Sequence, residues 1–481
     1  MHSAMLKFDV VVLGATVAAC HAALEAARAG QRTLLLPNAS QSRSVGSYLR
    51  TLQVRESVVH YRHSQRLLAG ASYAPRAADF PLEGLRERLA QLEREQFRSL
   101  CDGLALRQIV TDARPARLIG SGKVQLGADE YCQAPVIVVA TGSLPRRPAR
   151  FPFDDRVVCD PDSILAITSI PRSLLVLGAQ EQGCELACLF ACMGTHVTMV
   201  DRRRYALRWV DRDVLEVLHE RMQSLGIEVV LEESLEQLDV DGSAGSSHAR
   251  VKLESGRIEV CDRMVVAGGK LPNSQGQGLE AAGVDVDDVG FIVTDEGCRT
   301  SAAGIYAAGE VIANIGHQAD AYQARLAINS ALGVSTELAR TSPMMIHSVP
   351  EISMVGCTEE MCTRLDIPCS VGLARFSDLA LGQVHADEGG FLKLAFDPTD
   401  LSLIGVQIIG TGAHELIHLG SNLIDRAGRI DELADGFYGE PSLTEAYALA
   451  ARDGLENIGA SPAANRAASR LIADWQPDQL G

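Results

Sequence analysis

Apolar residues fall in short runs along this chain, each closed by glycine or turn residues and several followed by a stretch of helical period. Such runs mark strands buried on both faces. Val10 to Leu13, Thr33 to Leu36, Val136 to Val139, Leu174 to Leu177, Val197 to Val200, Met264 to Ala267 and Gly304 to Ala307 read in this way. The alternation of strand and helix occurs twice in succession, which predicts two doubly wound α/β, Rossmann-like units with mostly parallel sheets. Beyond about Arg340 the pattern changes. Phe391 to Phe396 and Ile404 to Ile409 alternate and are followed by helices, predicting an α+β C-terminal domain on an antiparallel sheet.

Two segments, FDVVVLGATVAAC from Phe8 and SLLVLGAQEQGCE from Ser173, combine a strand, a glycine turn and a helix. This is the unit that receives a dinucleotide pyrophosphate, with a first Gly for the turn, a second for close approach and a third, often Ala, for helix packing. In the first segment the turn is Gly14, Ala15 and Thr16, with Ala19 third. Thr16 is β-branched and is expected to put a side chain where the phosphate should approach. The acid that usually binds the adenosine ribose is replaced by Asn38, which can accept a hydrogen bond. A ligand-free strand–turn–helix would leave the same residues. In the second segment Gly178 and Gly183 stand first and third and Gln180 is in the middle. Asp201 follows the next strand and suits the ribose of NAD, while Arg202, Arg203 and Arg204 suit the 2′-phosphate of NADP or form a solvated basic turn.

Composition narrows the setting. The 481 residues allow two to four domains, and the formal net charge of −17 argues against nucleic acid or anionic membrane as a partner. No run reaches the roughly 18 to 20 apolar residues that cross a bilayer, and the N-terminal run lacks a cleavage site, so a cytoplasmic protein is expected. The 12 cysteines show no disulfide framework and no zinc spacing, and no metal is expected. Cys184, Cys188 and Cys192 share one helical face and read as small core residues. His414, Glu415 and His418 spell HELIH, the pattern of zinc proteases.

The order GATVAA, VVATGSLPRRP, LGAQEQGCELA, VVAGGKLPN, IYAAGEVI and SVPEISMVG resembles the two-dinucleotide-binding flavoproteins, the pyridine nucleotide-disulfide oxidoreductase family, nearly end to end. AHELIHLGSNLI and EPSLTEAYALAARDGL are most similar to its transhydrogenase branch. That context reads the HELIH segment as a helix of the dimerisation domain. The resemblance implies an FAD domain in 1–150 and 273–340, an NAD(P) domain in 151–272 and a dimerisation domain in 341–481, in a homodimer. It implies FAD as cofactor and NAD(P)H as substrate. Ala140, Thr141 and Gly142 match a second FAD contact; Gly309 and Glu310 match a Gly-Asp pair that holds the ribityl chain; Glu185 matches a carboxylate near the flavin; Gly269 joins the nucleotide-binding set.

The departures bear on chemistry. The family's CxxxxC helix should fall between about Gly46 and Val59, where VGSYLRTLQVRESVV has no cysteine; Ser47 and Leu52 stand in the cysteine positions, and Glu56 replaces a lysine. Thiol–disulfide exchange needs a thiolate, so that route is excluded. Glu440 occupies the position of the family's catalytic His, although its partner Glu445 remains. Hydride transfer between NADPH and NAD through flavin needs neither group. It is the expected activity, and a non-catalytic homodimeric paralogue with degraded nucleotide sites is the alternative.

Overall fold

The computed structural model describes residues 6–37, 54–59, 81–85, 87–88, 91, 95, 108–166, 168–241, 248–313, 320–335, 341–385, 387 and 389–459. Contacts divide the chain into two compact units, Met1–Arg202 with Val230–Leu338, and Arg203–Val229 with Ala339–Gly481. The segment Arg203–Val229, expected within the NAD(P) domain, thus groups with the C-terminal residues.

The first unit holds both predicted parallel sheets. In one, strands run in the order Ile305–Ala307, Val136–Val139, Val10–Leu13, Thr33–Leu36 and Val110–Thr111. The central strands Val10–Leu13 and Val136–Val139 are apolar throughout because both faces are covered, whereas the edge strand Val110–Thr111 is exposed. Val10 and Val12 pack with Ala18, Ala19, Ala22, Ala23 and Ala26 of helix Val17–Arg28. Val11 and Leu13 pack on the other side with Leu118, Val124 and Leu126, from a small sheet that the runs did not predict. Alanine on the helix lets helix Asp320–Ala331 and the sheet approach closely.

In the other sheet, Val158–Cys159, Arg263–Val266, Ser173–Leu177 and His196–Val200 lie side by side and parallel. Its last predicted strand ends at Val266 rather than Ala267, whose N–H still donates to the Leu177 carbonyl at 2.8 Å beside the Gly178 turn. Cys184, Cys188 and Cys192 are wholly buried on helix Glu181–Cys192.

In the second unit, the antiparallel sheet runs Met344–Ile346, Ile352–Gly356, Leu403–Ile409, Phe391–Phe396, Ser370–Arg375. One face packs on helices Ala413–Asp425 and Glu445–Gly459 through Phe396, Ile408, Ile417 and Tyr447. A polar cluster joins helix Arg212–Ser224 to this unit. The buried Lys393 ammonium meets Asp211 at 2.7 Å, Asp213 at 2.8 Å and Glu359 at 3.4 Å. Burial alone would lower the Lys393 pKa, but these carboxylates overcome it and raise it.

Candidate functional site

Both glycine turns sit where strand order reverses, the place at which open α/β sheets bind ligands. Helix Val17–Arg28 starts between strand Val10–Leu13 and its neighbours on either side, Thr33–Leu36 and Val136–Val139, and the Gly14 N–H bonds the Leu36 carbonyl at 3.0 Å. Ala140 crosses back from the other neighbour, its N–H on the Leu13 carbonyl at 2.8 Å. Gly14 has φ +132°, and a Cβ there would stand 2.1 Å from the Ala140 oxygen. The second turn repeats the frame. Gly178 donates to Val200, Ala267 donates to Leu177, and a Cβ on Gly178, at φ +116°, would stand 2.5 Å from the Ala267 oxygen. Gly183 is equally constrained, since a Cβ would stand 1.8 Å from the Gly178 oxygen.

The middle residues behave differently. Thr16 is buried, caps its helix by accepting from the Ala19 N–H at 3.1 Å, and donates to the Ala140 carbonyl at 2.8 Å. Its hydroxyl is therefore turned to the protein's own backbone. The hydroxyl does take one of the helix's first-turn donors, groups that otherwise serve an anion. Gln180 also stands at the N-cap, but makes no side-chain cap bond, and its Nε2 is buried without a partner among the described residues.

Ala140, Thr141 and Gly142 are buried in a tight crossing with Asn273. Thr141 Oγ1 donates to the Asn273 carbonyl at 2.8 Å, and the Asn273 N–H donates to the Gly142 carbonyl at 2.8 Å. Gly142 adopts φ +72°, with a would-be Cβ 2.8 Å from Thr16 Cγ2. Gly309, at φ +82°, donates to the Gln323 amide oxygen at 2.7 Å. Glu310 accepts from Ser143 Oγ at 2.6 Å and pairs with Lys270. Partial burial works against its charge, but Lys270 and the hydrogen bonds outweigh it and hold the carboxyl below its ordinary pKa. Lys270 and Ser143 both reach Glu310 where Ser143–Pro145 pairs antiparallel with Lys270–Pro272.

Asp201 is buried, and its Oδ2 accepts from the Ala179 N–H at 2.7 Å, so this carboxylate also secures the turn. Arg202 and Gly269 are exposed, and Ala15 and Glu185 are half-buried. Asn38, Ser47 and Leu52 lie outside the described residues. Glu56 is exposed and pairs with Arg55 at 2.6 Å. Glu445 accepts from the Ser442 N–H at 2.7 Å, and Glu440 is exposed. The HELIH histidines diverge: His414 is turned to the Ile346 carbonyl at 3.2 Å and Glu351 at 3.8 Å, while His418 is exposed.

Sequence reasoning missed Lys270, Ser143 and Gln323 as supports of the first site. The first two stand inside the GGKLPN and ATGSLP segments, so the signal was local, but their meeting depends on a pairing between distant segments. Gln323 carries no sequence signal.

Two such turns in one compact unit are the frame found in proteins that bind two dinucleotides. The comparisons sharpen this. Residues 8–331 match the model of the pyridine nucleotide-disulphide oxidoreductases, and residues 342–451 match the dimerisation domain of the same family. Soluble pyridine nucleotide transhydrogenase from Mycobacterium bovis is 32% identical over 473 residues, 95% of this chain and 99% of that protein. The protein of that name from Pseudomonas putida is 30% identical over 476 residues, covering 95% and 100%. The fold matches LpdA from Mycobacterium tuberculosis with a TM-score of 0.81 at 23% identity, over 93% of this chain and 99% of that one. It matches the HOCl-induced flavoprotein disulfide reductase RclA from Escherichia coli, as its Cu(II) complex, with a TM-score of 0.81 at 20% identity, over 93% and 99%.

The chain belongs to the pyridine nucleotide-disulphide oxidoreductase family, enzymes that use FAD with NAD(P)H. It is a flavin-based oxidoreductase. The first turn has the backbone frame that a dinucleotide needs: Gly14 lets the chain turn directly under the Ala140 carbonyl, and a carboxylate stands at Glu310. Among the described residues no helix is long and apolar enough to cross a membrane.

Proposed function

We propose that this protein transfers hydride between NADPH and NAD through FAD, without a redox-active disulfide. The observation that carries this reading is a pair of matching glycine turns in a chain with no cysteine between Cys20 and Cys101, where the family's dithiol would fall. Bound FAD would supply the two-electron carrier between the nucleotides. Everything else is positioning and electrostatics.

In this reading the Gly14–Ala15–Thr16 turn and the helix behind it would receive the FAD pyrophosphate, and Asn38 would supply the acceptor for its adenosine ribose. Ala140–Gly142 and Gly309 keep the backbone low beside the cofactor, and Glu310, steadied by Lys270 and Ser143, accepts from ribityl hydroxyls. The Gly178–Gly183 turn receives the NAD(P)H pyrophosphate, Asp201 fixes that turn, and Arg202 is exposed to answer a 2′-phosphate. Glu185 would serve as the carboxylate near the flavin, and Gly269 would belong to the nucleotide-binding set. The FAD domain comprises 1–150 and 273–340, the NAD(P) domain 151–272, and the dimerisation domain 341–481. We further propose a soluble cytoplasmic homodimer, supported by the names of the relatives and the dimerisation-domain match.

The test is anaerobic spectroscopy of the purified protein. Bleaching of the flavin band by NADPH and its return on adding NAD is the expected result. Bleaching without reoxidation by NAD would assign another acceptor. A colourless protein that takes up no FAD would mean that fold and dimer were kept without the nucleotide sites.

A further inference from the structure

Asp320 opens helix Asp320–Ala331 beside the first glycine turn. It lies against Gly309, where a Cβ would stand 2.8 Å from Ala18 Cβ and 3.5 Å from Asp320 Oδ1. Ala18 lies in the first turn of helix Val17–Arg28, the end that favours an anion. The carboxyl of Asp320 has no hydrogen-bond partner among the described residues.

The charges around it do not balance. Glu310 and Asp320 face one cation, Lys270, and Glu310 already holds it. The packed helix Val17–Arg28 carries His21 and the mutually paired Glu25 and Arg28. Strand Ile305–Ala307 adds Tyr306, and on Asp320's own helix Arg325 lies over Tyr322. A pyrophosphate at the turn adds further negative charge beside two carboxyls.

We propose that Asp320 controls the affinity of the first site by holding a proton when a dinucleotide is bound, which removes one like charge from beside the pyrophosphate. The inference rests on the reading that FAD occupies this turn. The proton comes from solvent and is held on the Asp320 carboxyl.

Burial, and then the charge of Glu310, push Asp320 up to about 6 against the opposing effect of Lys270. The sign follows. An acid with a raised pKa favours the folded state in acid, and that contribution is lost as pH rises through about 6. Anion binding raises the value further, so binding takes up a proton and weakens as pH rises.

The experiment strips FAD from the full-length protein and follows its rebinding by flavin fluorescence between about pH 5.5 and about pH 7.5. The wild type should lose roughly tenfold in affinity across that range. Asp320→Asn and Asp320→Ser should bind equally tightly throughout, near the wild-type value in acid, while His21→Gln keeps the slope. A slope retained in Asp320→Asn overturns this inference alone. Weaker binding by both Asp320 variants at every pH also overturns it, because the carboxylate would then be a direct ligand. No FAD binding in any of the proteins overturns the functional reading together with it.

Discussion

The two glycine turns have one backbone frame and two different middle residues. Gly14 and Gly178 each lie under a carbonyl from the neighbouring strand, Ala140 and Ala267, with left-handed backbone that only glycine adopts without strain. Thr16 bonds the Ala19 N–H of its own turn and the Ala140 carbonyl across it, whereas Gln180 leaves an amide nitrogen buried and without a partner among the described residues in the second. The frame is set by strand packing and tolerates either residue. What the residue does with its polar atoms distinguishes a turn that is satisfied by itself from one that is left incomplete.

The largest test of that comparison is to put a Cβ at the shared position. Gly14→Ala and Gly178→Ala should each cost about 2–4 kcal/mol from overlap and backbone strain, read as a lower denaturant midpoint. If one turn accepts alanine at no cost, the frames are not equivalent.

Next in size is the tie that secures the second turn. Asp201→Ala leaves the Ala179 N–H without its acceptor and should destabilise by about 1–3 kcal/mol. Thermal melts with and without NADP distinguish its two roles. An unchanged melting temperature alongside weaker NADP binding would show that Asp201 serves only the ligand.

The smallest effects come from the middle residues. Thr16→Val removes the cap and should cost about 1 kcal/mol, while Gln180→Met, which removes an unpaired amide, should change stability by less than about 0.5 kcal/mol. Equal losses in the two melts would erase the difference described here.

Much of this was legible in the sequence. The apolar runs gave the strands because a strand covered on both faces must be apolar at every position, as Val10–Leu13 is. Gly14, Gly178 and Gly183 were legible as turn and packing residues because a glycine between a strand and a helix has few other uses. The alternating C-terminal strands announced an antiparallel sheet for a similar local reason. The fate of Thr16 was not legible, since its partner Ala140 is 124 residues away. Nor was the use of Asp201 to hold the Ala179 N–H, which depends on how the loop closes.

The sequence by itself determined the strands, the two turns and the absence of cysteine from the family's dithiol region, because periodicity, backbone freedom and residue chemistry are local properties. Only the tertiary structure decided which polar atoms were already paired. Glu310 is held by Lys270 and Ser143 and has Asp320 beside it because a short antiparallel pairing and a helix start converge at one turn. Charges act through space, and their spacing exists only after the chain has folded.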